Sequence, residues 1–77
     1  MTPTEAFLRN LNFLKTSRGI TDRWIGEQLN MERSAVTHMR RNARHLNLDT
    51  AWQLCELFGV RLGNMCQEDF RGQHLRK

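Results

Sequence analysis

Hydrophobic residues recur at three- and four-residue intervals along most of the chain, which is the pattern of helices that bury one face. The first such stripe consists of Phe7, Leu8, Leu11 and Leu14. It predicts a helix over residues 4–17, and Gly19 follows where a left-handed residue commonly ends a helix. No stretch of alternating polarity occurs, Tyr does not occur, and Val and Ile are rare. We therefore expect an all-α fold.

Two shorter helices are predicted in the middle of the chain. The first begins after Thr21, whose hydroxyl is expected to cap it, and ends at Asn30, which tolerates the left-handed conformation. The next begins at Glu32 or Arg33, runs to about Arg41 and has Val36 and Met39 on its inner side. Its other side is left polar and carries Arg33, Ser34, Thr37, His38 and Arg41.

Two further helices are predicted toward the end of the chain. The fourth spans residues 48–58, begins at a cap by Asn47 and ends at Gly59. Its expected buried stripe consists of Leu48, Ala51, Leu54, Cys55 and Phe58. A short fifth helix is predicted over residues 62–70, where apolar positions again follow helical spacing.

Length and charge narrow the classes of protein. We expect one domain over residues 1–70 and a basic, frayed tail over residues 71–77. The net charge of +4 favours an anionic partner, which is a nucleic acid or a membrane surface. No apolar run is long enough to span a bilayer, and residues 1–20 lack the apolar core of a signal peptide, so a cytoplasmic protein is expected.

Candidate catalytic and metal-binding residues are few. Cys55 and Cys66 form no CxxC pair and have no His at zinc-ligand spacing, so two buried thiols are expected, with a disulfide as the alternative. Neither cysteine has a His at helical spacing, and no paired carboxylates stand out. We therefore expect no enzyme activity, no cofactor, no metal and no small-molecule effector.

Residues 20–42 have the features of a helix-turn-helix. This motif needs a small residue where its two helices cross closely, and Gly26 occupies that position. It needs a residue that accepts an unusual turn conformation, and Asn30 follows the first helix. It also needs inward apolar residues, which are Ile25, Leu29, Met31, Val36 and Met39.

The run ITDRWIGEQLNMERSAVTHMRRN resembles the lambda-repressor-like helix-turn-helix family, the Cro and XRE group. The family's structural positions are occupied by Thr21, Ile25, Gly26, Leu29, Asn30, Met31, Val36, Thr37 and Met39. The resemblance extends over about residues 4–66 and implies a five-helix DNA-binding domain. The chain departs from the family pattern at three positions. Asp22 replaces the usual Gln, which contacts a phosphate in the family, Glu32 replaces the usual Ser cap, and Arg40 replaces a common Glu.

A narrower resemblance concerns the segment ERSAVTHMRRNARHLNLDTAWQL, which is similar to the controller proteins of restriction–modification systems. It implies a sequence-specific transcription regulator that binds a double-stranded DNA operator as a homodimer. Phage repressors of the Cro type share much of this pattern and remain the alternative. A DNA-binding antitoxin of a toxin–antitoxin pair is a further alternative, although the short tail disfavours it.

The resemblance assigns roles to individual side chains. The residues expected at base edges are Arg33, Ser34, Thr37 and His38. Those expected at the DNA backbone are Thr21, Arg41, Asn42 and Arg44. Each role has an alternative. The arginines could be solvated surface residues, and Ser34 and Thr37 could be small exposed residues without a contact. Asn42 could serve only as a turn or cap residue. The residues expected at the dimer interface are Trp52, Leu57, Val60, Leu62 and Met65, because a monomer would leave them exposed.

Overall fold

The computed structural model describes residues 1–68 and 70. Its five α-helices are α1 (Pro3–Arg18), α2 (Asp22–Leu29), α3 (Arg33–Arg41), α4 (Leu48–Phe58) and α5 (Leu62–Met65), and a 3₁₀ turn spans Ala43–His45. No strand occurs in the described part of the chain, which confirms the all-α expectation. None of the described helices is long and apolar enough to cross a membrane. The predicted tail over residues 71–77 lies outside the described residues.

Both ends of α2 and α4, and the C-terminal end of α1, lie close to where the sequence predicts them, because capping residues satisfy the terminal backbone groups. Thr21 caps α2 by accepting a backbone N–H at 3.1 Å, and Asn47 caps α4 in the same way at 2.8 Å. Asn30 ends α2 with φ 57°, while Gly19 and Gly59 end α1 and α4 with φ 66° and 69°. These predicted caps are confirmed.

One hydrophobic core joins all five helices. Its buried members are Phe7, Leu8, Leu11, Leu14, Ile25, Val36, Met39, Ala51, Leu54, Cys55, Phe58, Met65 and Phe70. The predicted inner faces of α1 and α3 are therefore confirmed. The expectation for Leu48 is wrong, because this first residue of α4 is 71% exposed. It lies beyond the edge of the core, at an open apolar groove that Pro3 and Leu46 also line.

The fifth helix is shorter than predicted, since it ends at Met65 rather than near residue 70. The reason is Asn10 on α1, which is only 2% exposed. Its side-chain amide donates hydrogen bonds of 2.8 Å to the carbonyl oxygens of Met65 and Gln67. The carbonyl of Gln67 also accepts the N–H of Phe70 at 3.4 Å, so the chain continues beyond α5 as a turn that is bonded to α1. Apolar spacing alone gave no sign of this competing partner.

The turn between α2 and α3 is built around a close backbone approach at Gly26. The carbonyl oxygen of Gly26 accepts the N–H of Met31 at 2.8 Å. A Cβ atom on Gly26 would lie 2.5 Å from the carbonyl oxygen of Met31, which no side-chain rotation can relieve. The expectation that this position needs a small residue is confirmed, and the neighbour that requires it is the turn backbone.

The substitution Gly26→Ala is expected to destabilise the fold by about 1–3 kcal/mol, because the new methyl group forces the turn away from α2. This loss outweighs the roughly 0.5–1 kcal/mol that Ala gains over Gly inside a helix. Gly63→Ala in α5 is the matched control, since a Cβ there meets no atom within 4 Å. Urea denaturation of both variants measures the difference, and equal free energies of unfolding would contradict this role for Gly26.

Candidate nucleic-acid interface

An open groove lies where the N-terminus of α2 meets α3. It is lined by Lys15, Thr21, Asp22, Arg23, Arg33, Thr37, Arg40 and Arg41. Five of these eight residues are basic and one is acidic, so the groove concentrates positive charge in a chain whose net charge is +4. The free N–H groups of the first turn of α2 add partial positive charge at the same place. The groove is therefore suited to an anion.

The outer surface of α3 continues from this groove. Arg33, Ser34, His38 and Arg41 are all exposed, and positions 34, 38 and 41 follow one another at helical spacing. Four of the predicted contact residues thus lie on one accessible stretch of helix. Arg44 is also exposed and lies in the 3₁₀ turn that follows α3. The surface presents hydrogen-bond donors and cationic forks that suit base edges and phosphates.

The acidic residue of the groove is neutralised by a bidentate ion pair. Arg40 donates from Nε to Oδ1 of Asp22 and from Nη2 to Oδ2, each at 2.7 Å. Its Nη1 donates to Oδ1 of Asn12 on α1 at 2.9 Å. Nζ of Lys15 lies 3.7 Å from Asp22, and Thr37 donates to it at 2.8 Å. We call these five residues the Asp22 cluster.

The cluster lies below the surface. The side chains of Asp22 and Arg40 are 12% and 18% exposed, so water screens their interaction less than it screens a surface pair. Burial by itself raises the pKa of Asp22. The hydrogen bonds from Arg40 and Thr37, together with the charges of Arg40 and Lys15, outweigh burial and hold that pKa below its ordinary value. Asp22 is therefore a carboxylate in the folded protein at neutral pH.

Thr37 differs from the other predicted base-reading residues. It is half-buried, and its hydroxyl lies 2.8 Å from Asp22 and 3.1 Å from the carbonyl oxygen of Arg33. The single hydrogen of this hydroxyl is thus within bonding distance of two acceptors, and both belong to the protein. The side chain therefore has no free donor to offer a base, and its place in the groove is explained by contacts between helices.

Two of the predicted backbone-contact residues have local structural roles. Thr21 caps α2 and still lies exposed at the groove. Asn42 accepts the N–H of Arg44 at 3.0 Å and caps the 3₁₀ turn, so the turn role that the sequence left open for Asn42 is confirmed. His45 in this turn was not predicted to matter. Its ring packs edge-on against that of His38, with centroids 6.1 Å apart.

The two cysteines give no sign of reactivity. Both are free thiols, so the alternative of a disulfide is not realised. Burial, with a contribution from Cys66, raises the pKa of Cys55 to about 11, and burial also raises the pKa of Cys66. Neither forms a thiolate readily at neutral pH. In the part of the chain that the structure describes, no group of three or more His, Cys, Asp or Glu residues is arranged to hold a metal ion.

The residues predicted at a dimer interface do not form one exposed patch. The expectation that Met65 is left exposed is wrong, because it is 1% exposed and belongs to the core. Leu57, Val60 and Leu62 are partly buried and pack against that core. α5 is short and turns inward, so its apolar residues cover their own chain. Trp52 is 58% exposed, and Leu48 lies one turn before it on α4.

Four members of the Asp22 cluster, namely Asn12, Lys15, Asp22 and Arg40, were not among the contact residues predicted from the sequence. The available signal was the pair of departures from the family pattern, since Asp22 and Arg40 carry opposite charges. Taken separately, each looked like the loss of a usual residue. In the structure they are partners, because the carboxylate of Asp22 is paired with the guanidinium of Arg40.

The substitution Asp22→Asn is expected to lower the free energy of unfolding by about 2–3 kcal/mol at pH 7, because Arg40 loses its charged acceptor. The folded-state pKa of Asp22 is lowered, so its contribution is present above the pKa of about 3.9 of an unfolded Asp and disappears as pH falls through the folded value. The difference between wild type and Asp22→Asn should therefore shrink below about pH 4. Urea denaturation across pH 3–7 measures it.

Asp49→Asn is the matched control, because it removes the same charge from an exposed carboxylate in the first turn of α4. We expect it to change stability by less than about 1 kcal/mol. A cost for Asp22→Asn that is no larger than for Asp49→Asn at pH 7 would show that the ion pair adds nothing to stability.

Comparison of the chain with protein-family models, with characterised proteins and with solved structures gives no match. The features that bear on function are therefore the groove, the outer surface of α3 and the Asp22 cluster.

Proposed function

We propose that this protein is a sequence-specific double-stranded DNA-binding protein that regulates transcription. In this proposal α2, the turn at residues 30–32 and α3 act as a helix-turn-helix of the lambda-repressor-like class. α3 enters the major groove and α2 lies across the DNA backbone. Within that class, the resemblance of residues 32–54 to controller proteins of restriction–modification systems makes such a regulator the narrower proposal.

The observation that carries the proposal is the basic groove beside the exposed surface of α3. A DNA phosphate in the groove would meet Arg23 and Arg41 and the N-terminus of α2. A base edge would then meet the side chains that project from the outside of α3. Positioning by phosphate contacts and reading by base contacts are the two parts of specific recognition, and here they adjoin one another.

Arg33 is the residue proposed to carry most of the reading. It lies in the first turn of α3, is exposed, and has a planar guanidinium that can donate to O6 and N7 of guanine together. Ser34 and His38 lie on the same stretch and read neighbouring positions. Arg44 lies beyond the end of α3 and is proposed to bind phosphate.

The substitution Arg33→Ala is expected to weaken binding to the preferred duplex by about 1–3 kcal/mol and to relax the preference at one base position. Arg44→Ala should weaken binding to preferred and random duplexes alike, because phosphates carry no direct sequence information. Arg61→Ala is the charge-matched control, since Arg61 is exposed but lies outside the groove. Selection from a random duplex library identifies the preferred sequence, and fluorescence anisotropy measures the affinities.

The dependence on salt tests the same proposal. The logarithm of the binding constant should fall linearly with the logarithm of the salt concentration, with a slope of about −0.9 per phosphate contact. Failure of wild type to enrich any duplex would contradict sequence-specific binding. An affinity that does not change with salt would contradict the groove as a phosphate site.

We also propose that the protein acts as a homodimer, because one recognition helix reads only a few base pairs. The structure changes which residues are candidates for the contact. Leu48 and Trp52 are exposed and lie one turn apart on α4, and Leu48 adjoins the apolar groove next to Pro3 and Leu46. Such apolar surface more often marks an interface than the free surface of a monomer.

The double substitution Leu48→Glu with Trp52→Glu is expected to give a folded monomer at micromolar concentration, since both side chains lie outside the core. Trp24→Glu on α2 is the control, because it changes another exposed Trp in the same way and should leave the dimer intact. Sedimentation equilibrium distinguishes the species. A wild-type protein that is already monomeric would remove the dimer from the proposal and leave DNA binding by the monomer.

A further inference from the structure

The basic groove contains one acidic side chain, that of Asp22. Any negative charge there repels DNA phosphates, so Asp22 lowers general affinity for DNA. Asp22 is nevertheless the residue around which the groove is built, because it contacts Arg40, Thr37 and Lys15. Its role must therefore be something other than attraction of DNA.

The contacts of Asp22 connect three helices at one point. Asp22 is the first residue of α2, Arg40 and Thr37 lie about one turn apart on α3, and Lys15 lies on α1. Arg40 also bonds to Asn12 on α1 at 2.9 Å. α3 is thus held at two positions along its length, by the hydroxyl of Thr37 and by the guanidinium of Arg40. Two such anchors fix the rotation of the helix about its axis as well as its distance from α2.

The geometry of the Arg40 contact adds directional restraint. Two parallel hydrogen bonds of 2.7 Å join a planar guanidinium to a planar carboxylate. A single ammonium group in place of Arg40 would keep the attraction but lose the planar fork. Arg40 is part of α3, so holding its guanidinium in place also holds the orientation of α3. The orientation of α3 in turn sets the directions of Arg33, Ser34 and His38.

We infer that Asp22 and Arg40 are positioning residues for sequence discrimination, which hold the reading surface of α3 in register with the phosphate-binding groove at the expense of general DNA affinity. This inference rests on the proposed function. Thr37 belongs to the same cluster and acts through its contact with Asp22, so it does not read a base. The reading side chains are those outside the cluster on the exposed surface of α3.

With Asp22 in this role, its loss should change affinity and specificity in opposite directions. Asp22→Asn removes a negative charge from the groove, so it should strengthen binding to a random duplex. It also loosens α3, so the ratio of affinities for the preferred and random duplexes should fall by about fivefold or more. This is the discrimination that one bidentate contact to a base provides. Arg40→Lys keeps the charge, so it should lower the ratio to a similar degree without strengthening random binding.

Glu27→Gln is the matched control for charge. Glu27 is also on α2, is 64% exposed and pairs only loosely with Arg23 at 3.5 Å, outside the Asp22 cluster. Its removal should strengthen binding to both duplexes equally and leave the ratio unchanged. Thr37→Val should select the same preferred sequence as wild type, because it removes a hydroxyl that is bonded within the protein.

The experiment measures the affinities of the five proteins for the duplex selected by wild type and for a random duplex, at a temperature where circular dichroism shows each to be folded. Ratios that fall for Asp22→Asn and Arg40→Lys but not for Glu27→Gln support the inference. Unchanged ratios in the first two variants would overturn it, as would equal losses for both duplexes, which indicate destabilisation alone. A changed base preference in Thr37→Val would assign Thr37 to reading. If wild type itself prefers no sequence, the proposed function fails together with the inference.

Discussion

The contact between α2 and α3 is the constraint on which the rest of the molecule depends. At one end of this contact the turn backbone approaches Gly26 so closely that no side chain fits between them. At the other end Arg40 binds Asp22 with two hydrogen bonds. A steric limit and an ion pair thus fix two short helices that have little core of their own. These two contacts hold the N-terminus of α2 beside α3, where the basic groove lies.

The core and the groove have separate sources of stability. α1 and α4 supply most of the buried apolar side chains, and α2 supplies only Ile25 and Gly26. Such a small domain is marginally stable, so a few local interactions have large effects. The buried amide of Asn10 is one of these, because it fixes the chain after α5. Polar contacts therefore fix the packing of α2 against α3 and the path of the chain after α5, while the buried apolar side chains form the core.

Much of the fold could be predicted from the sequence because its signals are local. Helical spacing identified the inner faces of α1 and α3, and capping residues such as Thr21 and Asn30 marked helix ends. The errors came from interactions between distant residues. α5 ends early because Asn10 lies 55 residues away along the chain from the carbonyl of Met65 that it bonds. Leu48 has the right spacing for burial but starts its helix outside the core.

The same distinction applies to the candidate site. The exposed positions of α3 follow from its period, so Arg33, Ser34 and His38 could be identified from the sequence. The hydrogen bond from Thr37 to Asp22 and the ion pair of Asp22 with Arg40 could not be identified in this way, because they depend on how α2 packs against α3. Periodicity places such residues on a helix face but does not say which side chain on the neighbouring helix meets them.

The central claim is that DNA binds at the N-terminus of α2 and the outer surface of α3. Backbone amide NMR during titration with a short duplex tests it most directly, because it maps contacts even when the preferred DNA sequence has not been identified. We expect the largest shift changes at residues 21–24 and 33–41, with little change at Thr4 on α1 and at Leu62, which line the apolar groove. Changes centred on the apolar groove, or no changes at all, would contradict the claim.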